Sequence, residues 1–192
     1  LGAGARAEAA HAWGTAVRTL HRTRFSLAGD LAEPEAAGVR LEGDLERLWH
    51  TPLRLAVKDA MLDTPKLVRA LRRAPELVAD APVALTHGHP GAGSFLYNPR
   101  RGAVTAVLDL GNARRSDPMC DLAAIAGELS ALGCAEAFMQ GYGALSSWER
   151  ARRAFYGLHH DLLAYASALT TAPHELAARR MRLADRLKSS EY

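Results

Sequence analysis

The chain is 192 residues long, 48% of them are hydrophobic, and its formal net charge is +3. The hydrophobic content excludes a disordered chain, and the length suits one domain. The charge excess is too small to predict a nucleic-acid partner, and no apolar run reaches membrane length, so we expect a cytoplasmic protein without a membrane partner. The abundance of Ala, Arg, Gly and Leu favours a bacterial origin.

The first part of the chain has a helical pattern. In residues 5–25, apolar side chains recur at intervals of three and four residues, which predicts an amphipathic helix. Residues 26–40 contain glycines and a proline that break this pattern and predict a loop. Residues 41–62 are helical again, which we interpret as two pieces interrupted near Thr51 and Pro52.

Another helix is predicted to begin at Thr64 and Pro65, because a proline at an early helical position loses no hydrogen bond. Pro75 then kinks or ends this helix. Pro82 closes the helical region.

From residue 83 the sequence predicts β structure. Residues 83–88, 94–98 and 103–110 are short and comparatively rich in β-branched or aromatic side chains. Residues 98–102, Asn-Pro-Arg-Arg-Gly, have the composition of a turn. The last two of these segments therefore predict a small β-hairpin.

Helices return at Asp117, which can cap a helix whose first position is Pro118. Residues 119–132 and 134–145 predict two helices that are parted near Gly133.

The clearest helical period spans residues 148–169, and a last helix is predicted from Pro173 towards Lys188. The order is thus helices, a small hairpin and helices again. It predicts a mainly α fold with a small β-hairpin, as a single domain over residues 1–192. A hairpin inside a helical unit suits a site, because loops on rigid elements commonly carry chemistry.

The cysteines and a histidine pair have structural interpretations. Cys120 and Cys134 lie in helix-like surroundings and are expected to be reduced and buried, with a disulfide as the minority alternative. His159 and His160 lie in a long helix, where a partly buried or solvated pair is expected.

Three short motifs carry a family resemblance. They are H-G-H-P-G-A-G-S at residues 87–94, V-L-D-L-G at residues 107–111 and S-D-P-M-C-D-L-A at residues 116–123. They resemble H-G-D-x-x-x-x-N, I-D-W/F/L-G/E and G-D-P-x-x-D-L-A of the aminoglycoside phosphotransferase and choline kinase family. The segment A-W-G-T-A-V-R-T-L-H-R-T is similar to the helix that opens the C-terminal lobe of that family. The resemblance implies the C-terminal lobe of a protein-kinase-like fold.

The resemblance covers nearly the whole chain, but only as that lobe. Nothing before Val83 resembles the strand-rich nucleotide lobe of the family, its Gly-rich loop or its phosphate-pairing Lys. We therefore expect the N-terminal nucleotide lobe to be absent from this chain. It either precedes residue 1 in a longer protein or never existed.

Matched position by position, the resemblance implies roles in phosphoryl transfer, where positioning and charge neutralisation matter most. Asp109 fits the acid that binds the metal. His89 stands where the family has its catalytic Asp, and Ser94 stands where it has the metal-binding Asn. A serine hydroxyl offers a hard divalent ion less than an amide carbonyl does, whereas an imidazole can act as a base near neutral pH.

Several of these residues also have a structural interpretation. Asp109 suits a structural carboxylate equally well. His87 packs structurally in the family, and Asp117 and Asp121 fit residues that cap a helix and brace the loop. The predicted catalytic residues are His89 and Asp109, and the predicted substrate or cleft residues are His87, Ser94, Asn112, Asp117 and Asp121.

Two other sites are weakly suggested. Residues 88–94 half-match a nucleotide-binding P-loop, but the Lys is missing and a hairpin follows instead of a long helix. His87 and His89 form a conceivable transition-metal pair for which no third ligand is apparent.

The leading hypothesis is a degenerate family member that binds a small-molecule or peptide substrate in the former kinase cleft, with no cofactor expected. The expected setting is bacterial natural-product metabolism, with a protein partner in a biosynthetic complex and His89 in acid/base chemistry such as elimination or cyclisation. The alternative is an active phosphotransferase that uses Mg-ATP, with Asp109 as metal ligand, on a hydroxyl of a small molecule or peptide. A third hypothesis is that the protein is a purely structural subunit.

Overall fold

Helices form most of the computed structural model, which describes residues 2–189. In chain order they are α1 (Ala3–Leu20), α2 (Leu41–Ala56), α3 (Thr64–Arg72), α4 (Ala74–Val78), α5 (Pro118–Ala124), α6 (Ala126–Ala131), α7 (Ala135–Tyr142), α8 (Ser147–Thr170) and α9 (Leu176–Ser189). The strands are β1 (Arg24–Phe25), β2 (Gly29–Asp30), β3 (Val83–Thr86), β4 (Phe95–Asn98), β5 (Ala103–Val107) and β6 (Arg114–Ser116). The predicted fold class, mainly α with a small hairpin, is confirmed. None of the described helices is both long and apolar enough to cross a membrane.

Helix α8 is the centre of the helical layer, where it packs against α2, α5 and α9. A reciprocal capping box fixes its start: the Ser146 hydroxyl accepts the Glu149 backbone N–H, and the Glu149 carboxylate accepts the Ser146 N–H. Its inner face carries Phe155, Tyr156 and Tyr165, which are among the largest fully buried side chains. Burial of this aromatic surface is a main source of stability for the lobe.

Helices α1 and α7 approach so closely that glycine is required at their contact. A Cβ on Gly14 would lie 2.1 Å from the carbonyl oxygen of Phe138, and a Cβ on Gly141 would lie 2.0 Å from that of His11. This contact also places Trp13, whose ring packs edge-on against Phe138. Trp13 is thereby held in position towards the site described below.

A four-stranded antiparallel sheet in the order β1-β3-β6-β2 leads the chain into that site. Ala84 pairs with Ser116 and Thr86 with Arg114, which aligns β3 with β6. The chain leaves β3 at Thr86 directly into residues 87–94, which we call the site loop. The sequence did not predict this sheet.

Strands β4 and β5 form the predicted hairpin. Phe95 pairs with Val107 and Asn98 with Ala103. The pairing continues one step towards the site loop, because the Leu108 N–H donates to the Ser94 carbonyl at 2.8 Å.

The structure corrects the predicted interruption near Thr51 and Pro52. Helix α2 continues through Pro52, although a proline inside a helix costs about 3 kcal/mol. Trp49 and Ala56, on either side of the proline, are both buried. Packing of the helix against the lobe therefore outweighs the local cost.

Three predicted helix limits are also wrong. The first helix ends at Leu20, because the residues that follow turn into strand β1. Helix α2 ends at Ala56 and does not reach residue 62. Ile125 separates α5 from α6 within the predicted segment 119–132.

Candidate functional site

One buried carboxylate holds the start of the site loop. Asp121 on α5 accepts the backbone N–H of His87 at 2.7 Å and that of Gly88 at 2.9 Å. The Asp121 side chain is fully buried, so water does not compete for these charge-assisted bonds. The bonds fix the direction in which the loop leaves β3.

A buried chain of hydrogen bonds keeps Asp121 in place. His21 Nε2 lies 3.1 Å from Asp121 Oδ2, and His21 Nδ1 lies 2.9 Å from the Tyr142 hydroxyl oxygen. Burial raises the pKa of Tyr142, so the phenol keeps its proton. The hydroxyl then donates a hydrogen bond to His21 Nδ1. With Nδ1 as the acceptor, the His21 Nε2–H donates to the Asp121 carboxylate.

The His87 ring is a buried support of the loop with a defined tautomer. The His89 backbone N–H donates to His87 Nδ1 at 3.3 Å, so Nδ1 is an acceptor. Nε2 therefore carries the proton and donates to the Leu108 carbonyl at 2.8 Å. His87 thus joins the site loop to the segment that precedes Asp109.

Two further bonds hold the second half of the loop. Trp13 Nε1–H on α1 donates to the Pro90 carbonyl at 3.1 Å. The Glu128 carboxylate on α6 accepts the Ala92 N–H, also at 3.1 Å. The loop backbone is therefore anchored from α1, α5 and α6.

Gly88 and Asn112 show how closely the two edges of the cleft approach. Gly88 has a φ of +83°, and a Cβ there would lie 2.2 Å from the Asn112 carbonyl oxygen. Asn112 therefore meets the loop through its backbone, and the residue is otherwise exposed.

Asp117 is fully buried at the start of α5. Its carboxylate accepts the Met119 N–H at 2.9 Å and the Arg152 Nε–H at 2.8 Å. Burial raises the pKa of the Asp117 carboxyl, and the Arg152 guanidinium opposes that shift. The interpretation of Asp117 as a helix cap is confirmed.

The open side of the cleft carries His89 and Asp109, which are both exposed. Ser94 is buried, and its hydroxyl donates to the carbonyl of His89 in its own loop at 3.4 Å. Asp109 follows Leu108, whose N–H binds the Ser94 carbonyl. The structure therefore brings Ser94 and Asp109 onto neighbouring segments.

Asp109 has an unusual backbone. Its φ of 57° makes it the one non-glycine residue with a positive φ in residues 2–189. Such a conformation costs about 1–3 kcal/mol and is commonly found at functional sites. Leu108 and Leu110, which flank it, are 43% and 46% exposed.

The donor atoms of the cleft do not fit Mg²⁺. This ion prefers an octahedron of hard oxygen ligands. Asp109 supplies a carboxylate, but His89 supplies nitrogen, and the Ser94 hydroxyl is directed to the loop backbone. Within the described part of the chain, no three His, Cys, Asp or Glu side chains are grouped to hold a metal ion.

Neither the cysteines nor the histidine pair forms a second site. No disulfide joins Cys120 and Cys134, and both are partly buried, not fully buried as expected. His160 Nε2 lies 3.1 Å from the Cys120 carbonyl. His159 is buried, and neither ring nitrogen has a hydrogen-bond partner in residues 2–189, so this residue is not solvated.

A known protein family matches most of the chain. Residues 2–156 match the model of the phosphotransferase enzyme family, APH. The chain belongs to this family, which confirms the resemblance seen in the motifs. No curated protein sequence matches the chain.

Solved structures show the same fold at low sequence identity. The GDP and kanamycin complex of APH(2")-IIia has a TM-score of 0.64 at 16% identity, over 100% of this chain and 65% of that one. A choline/ethanolamine kinase family protein from Mesorhizobium loti has a TM-score of 0.60 at 20% identity, over 95% of this chain and 62% of that one. An aminoglycoside-3'-phosphotransferase of type VIII has a TM-score of 0.54 at 24% identity, over 82% and 61%. The chain spans less than two thirds of each of these proteins.

Apart from Asp121 and His87, the residues that anchor the loop were not predicted from the sequence. His21 lies on the same helical face as Trp13 and Val17, at steps of four residues. Because His21 continues this apolar stripe, its position could have predicted a buried polar contact. Glu128 and Tyr142 lie on short helices, and nothing in their local pattern distinguishes them.

Proposed function

We propose that this chain is a ligand-binding member of the phosphotransferase family that does not transfer phosphate from Mg-ATP. A contrast within the site loop carries the proposal. The loop backbone keeps supports from α1, α5 and α6. The positions matched to the catalytic Asp and the metal-binding Asn hold His89 and Ser94 instead.

The retained supports favour a cleft that still binds a molecule. A buried carboxylate such as Asp121 destabilises a fold unless its hydrogen bonds are all made. His21, His87 and Gly88 provide those bonds and hold the loop in one conformation. An ordered loop binds a ligand with less loss of conformational entropy than a mobile one.

His89 is the candidate acid/base in this cleft. It is exposed, and its backbone N–H is tied to the His87 ring. Imidazole is the side chain most often used for proton transfer near neutral pH. We extend the proposal to elimination or cyclisation of a peptide or small molecule in the cytoplasm of a bacterium, within natural-product metabolism and alongside a protein partner.

A second candidate is an active phosphotransferase whose nucleotide lobe lies outside this chain. Asp109 favours it, because an exposed carboxylate on strained backbone suits a metal-binding acid. Its substrate would be a hydroxyl group of a small molecule or peptide, with Mg-ATP as phosphate donor.

Metal binding by the wild type and by a restored variant tests the proposal. The double change His89→Asp and Ser94→Asn returns both oxygen donors to the cleft. We expect no saturable Mn²⁺ binding to the wild type by electron paramagnetic resonance, and binding to the double variant that Asp109→Ala removes. Mn²⁺ binding by the wild type at Asp109, or γ-phosphate transfer by the full-length natural protein, would establish the second candidate instead.

Substitution of His89 tests the acid/base role. His89→Ala should abolish the proposed elimination or cyclisation reaction. The melting temperature should stay unchanged, because the residue is exposed. A structural subunit would behave differently. Its partner binding would be unaffected by both His89→Ala and Asp109→Ala.

A further inference from the structure

An apolar cavity of about 300 Å³ lies against the site loop. Its walls come from α1, from the loop and the start of β4, and from the turn between α6 and α7. The apolar lining residues are Ala9, Ala10, Trp13, Ala92, Phe95 and Leu132. Leu132 is 47% exposed and Arg6 is also exposed, so the cavity opens to solvent between these two side chains.

The interior of this cavity has few polar atoms that could bind a water molecule. The Trp13 indole N–H already donates to the Pro90 carbonyl, and the other walls are methyl groups, aromatic carbon and the Cys134 thiol. A buried water needs two to four polar partners, whereas a dry apolar cavity of about 150 Å³ is large enough to bind benzene. An apolar guest of roughly twice that size would supply the contacts that the walls lack.

Arg6 is the one charged side chain among the described residues that line the cavity. Arg6 lines both the cavity and the adjoining space beside Glu136, and it has no ion-pair partner in residues 2–189. Glu136 accepts a hydrogen bond from Gln140 at 3.4 Å. Glu128, the other acid nearby, accepts the Ala92 N–H. Neither carboxylate lines the cavity itself, so the Arg6 guanidinium is the charged group that an anionic end of the guest would meet.

We propose that this cavity binds an amphipathic carboxylate, a medium-chain or arylalkyl acid. Its apolar body packs on Trp13 and Phe95, and its carboxylate pairs with Arg6. The site goes beyond the function proposed above and does not depend on it, because it needs neither His89 nor a metal. Its occupant contacts the site loop at Ala92 and therefore stabilises the loop conformation.

Octanoate is the probe, with octanol and octylamine as neutral and cationic counterparts. Isothermal titration calorimetry should show one saturable site for octanoate, weaker binding of octanol and the weakest binding of octylamine. Bromooctanoate should quench tryptophan fluorescence, and Trp13→Phe should remove the quenching. Trp49 and Trp148 do not line the cavity, so they serve as internal controls.

Two variants separate the apolar and the ionic contributions. Ala9→Leu fills the cavity and should abolish octanoate binding while raising the melting temperature, because it removes a void. Arg6→Glu should weaken octanoate binding about tenfold and leave octanol binding unchanged. Arg22→Glu, at an exposed arginine outside the cavity, is the matched control.

Three results would overturn the proposal. They are the absence of a saturable octanoate site, octanoate binding that survives Ala9→Leu, and affinities for octanol or octylamine that equal that for octanoate. Because the filled variant is expected to be more stable than the wild type, its loss of binding is distinguishable from unfolding.

Discussion

The Asp121 carboxylate accepts the backbone N–H of His87 at 2.7 Å, although the two residues are 34 positions apart in the sequence. The same carboxylate accepts hydrogen bonds from the Gly88 N–H and from the His21 Nε2–H. It therefore joins the end of α1, the helix α5 and the site loop at one buried point. A long-range contact, and not local turn chemistry alone, fixes where the loop begins.

Asp121→Asn should destabilise the lobe and loosen the loop. An amide has one oxygen to accept bonds, and its NH₂ group would face a backbone N–H donor. We expect a loss of about 3 kcal/mol in the free energy of unfolding, measured by urea denaturation. The His87 and Gly88 amides should also exchange hydrogen faster. Asp185→Asn, at an exposed residue paired with Lys188, is the control, and equal losses in both variants would contradict the prediction.

Gly88→Ala should disturb the cleft, whereas Gly93→Ala in the same loop should not. A methyl group on Gly88 meets the Asn112 carbonyl oxygen, and the positive φ is unfavourable for alanine. Gly93 has open space around it and no positive φ. We expect Gly88→Ala to cost about 2 kcal/mol or more in unfolding free energy and Gly93→Ala less than about 0.5 kcal/mol. Equal melting temperatures for the two variants would refute this account.

The sequence predicted the long helices well and missed the sheet. Helix α8, predicted over residues 148–169, spans Ser147–Thr170, because its apolar period is unbroken and its start is capped. Strands β1 and β2 have two residues each, which is too short to show a period of two. Their pairing depends on β3 and β6, which lie far away in the sequence.

Motif spacing indicated which residues surround the site loop but not their detailed contacts. Asp121 braces the loop as the resemblance implied, and Asp109 follows a residue that is hydrogen-bonded to the loop. It did not show that the Ser94 hydroxyl is directed to the His89 carbonyl, or that Asn112 meets the loop through its backbone. These features depend on side-chain rotamers and on backbone angles that only tertiary contacts determine.

Asp109→Gly should stabilise the protein. Glycine adopts the left-handed conformation without strain, and no hydrogen bond to the Asp109 carboxylate is found within the described residues. We expect a gain of about 1 kcal/mol in unfolding free energy, measured by chemical denaturation. Asp80→Gly, at an exposed residue with negative φ, should be neutral or destabilising. A destabilised Asp109→Gly variant would mean that the carboxylate makes a stabilising contact in the fold.

The stability of the lobe should fall in mild acid because of His159. This residue is 2% exposed, and burial lowers its pKa from the ordinary value of 6.5 to about 3. The unfolded chain therefore binds a proton below pH 6.5 that the folded chain does not accept. Above pH 6.5, His159 does not lower the free energy of unfolding. As the pH falls towards 3, this residue lowers that free energy by up to about 1.4 kcal/mol per pH unit.

His159→Leu should remove most of this pH dependence. It should also raise the unfolding free energy at neutral pH by about 1–2 kcal/mol, because the buried ring nitrogens have no partners within residues 2–189. Burial also lowers the pKa of His160, so a shallower slope should remain. Urea denaturation from neutral pH into this acidic range measures both effects, with His174→Leu at an exposed residue as the control. Parallel pH profiles for the wild type and His159→Leu would show that another group causes the acid sensitivity.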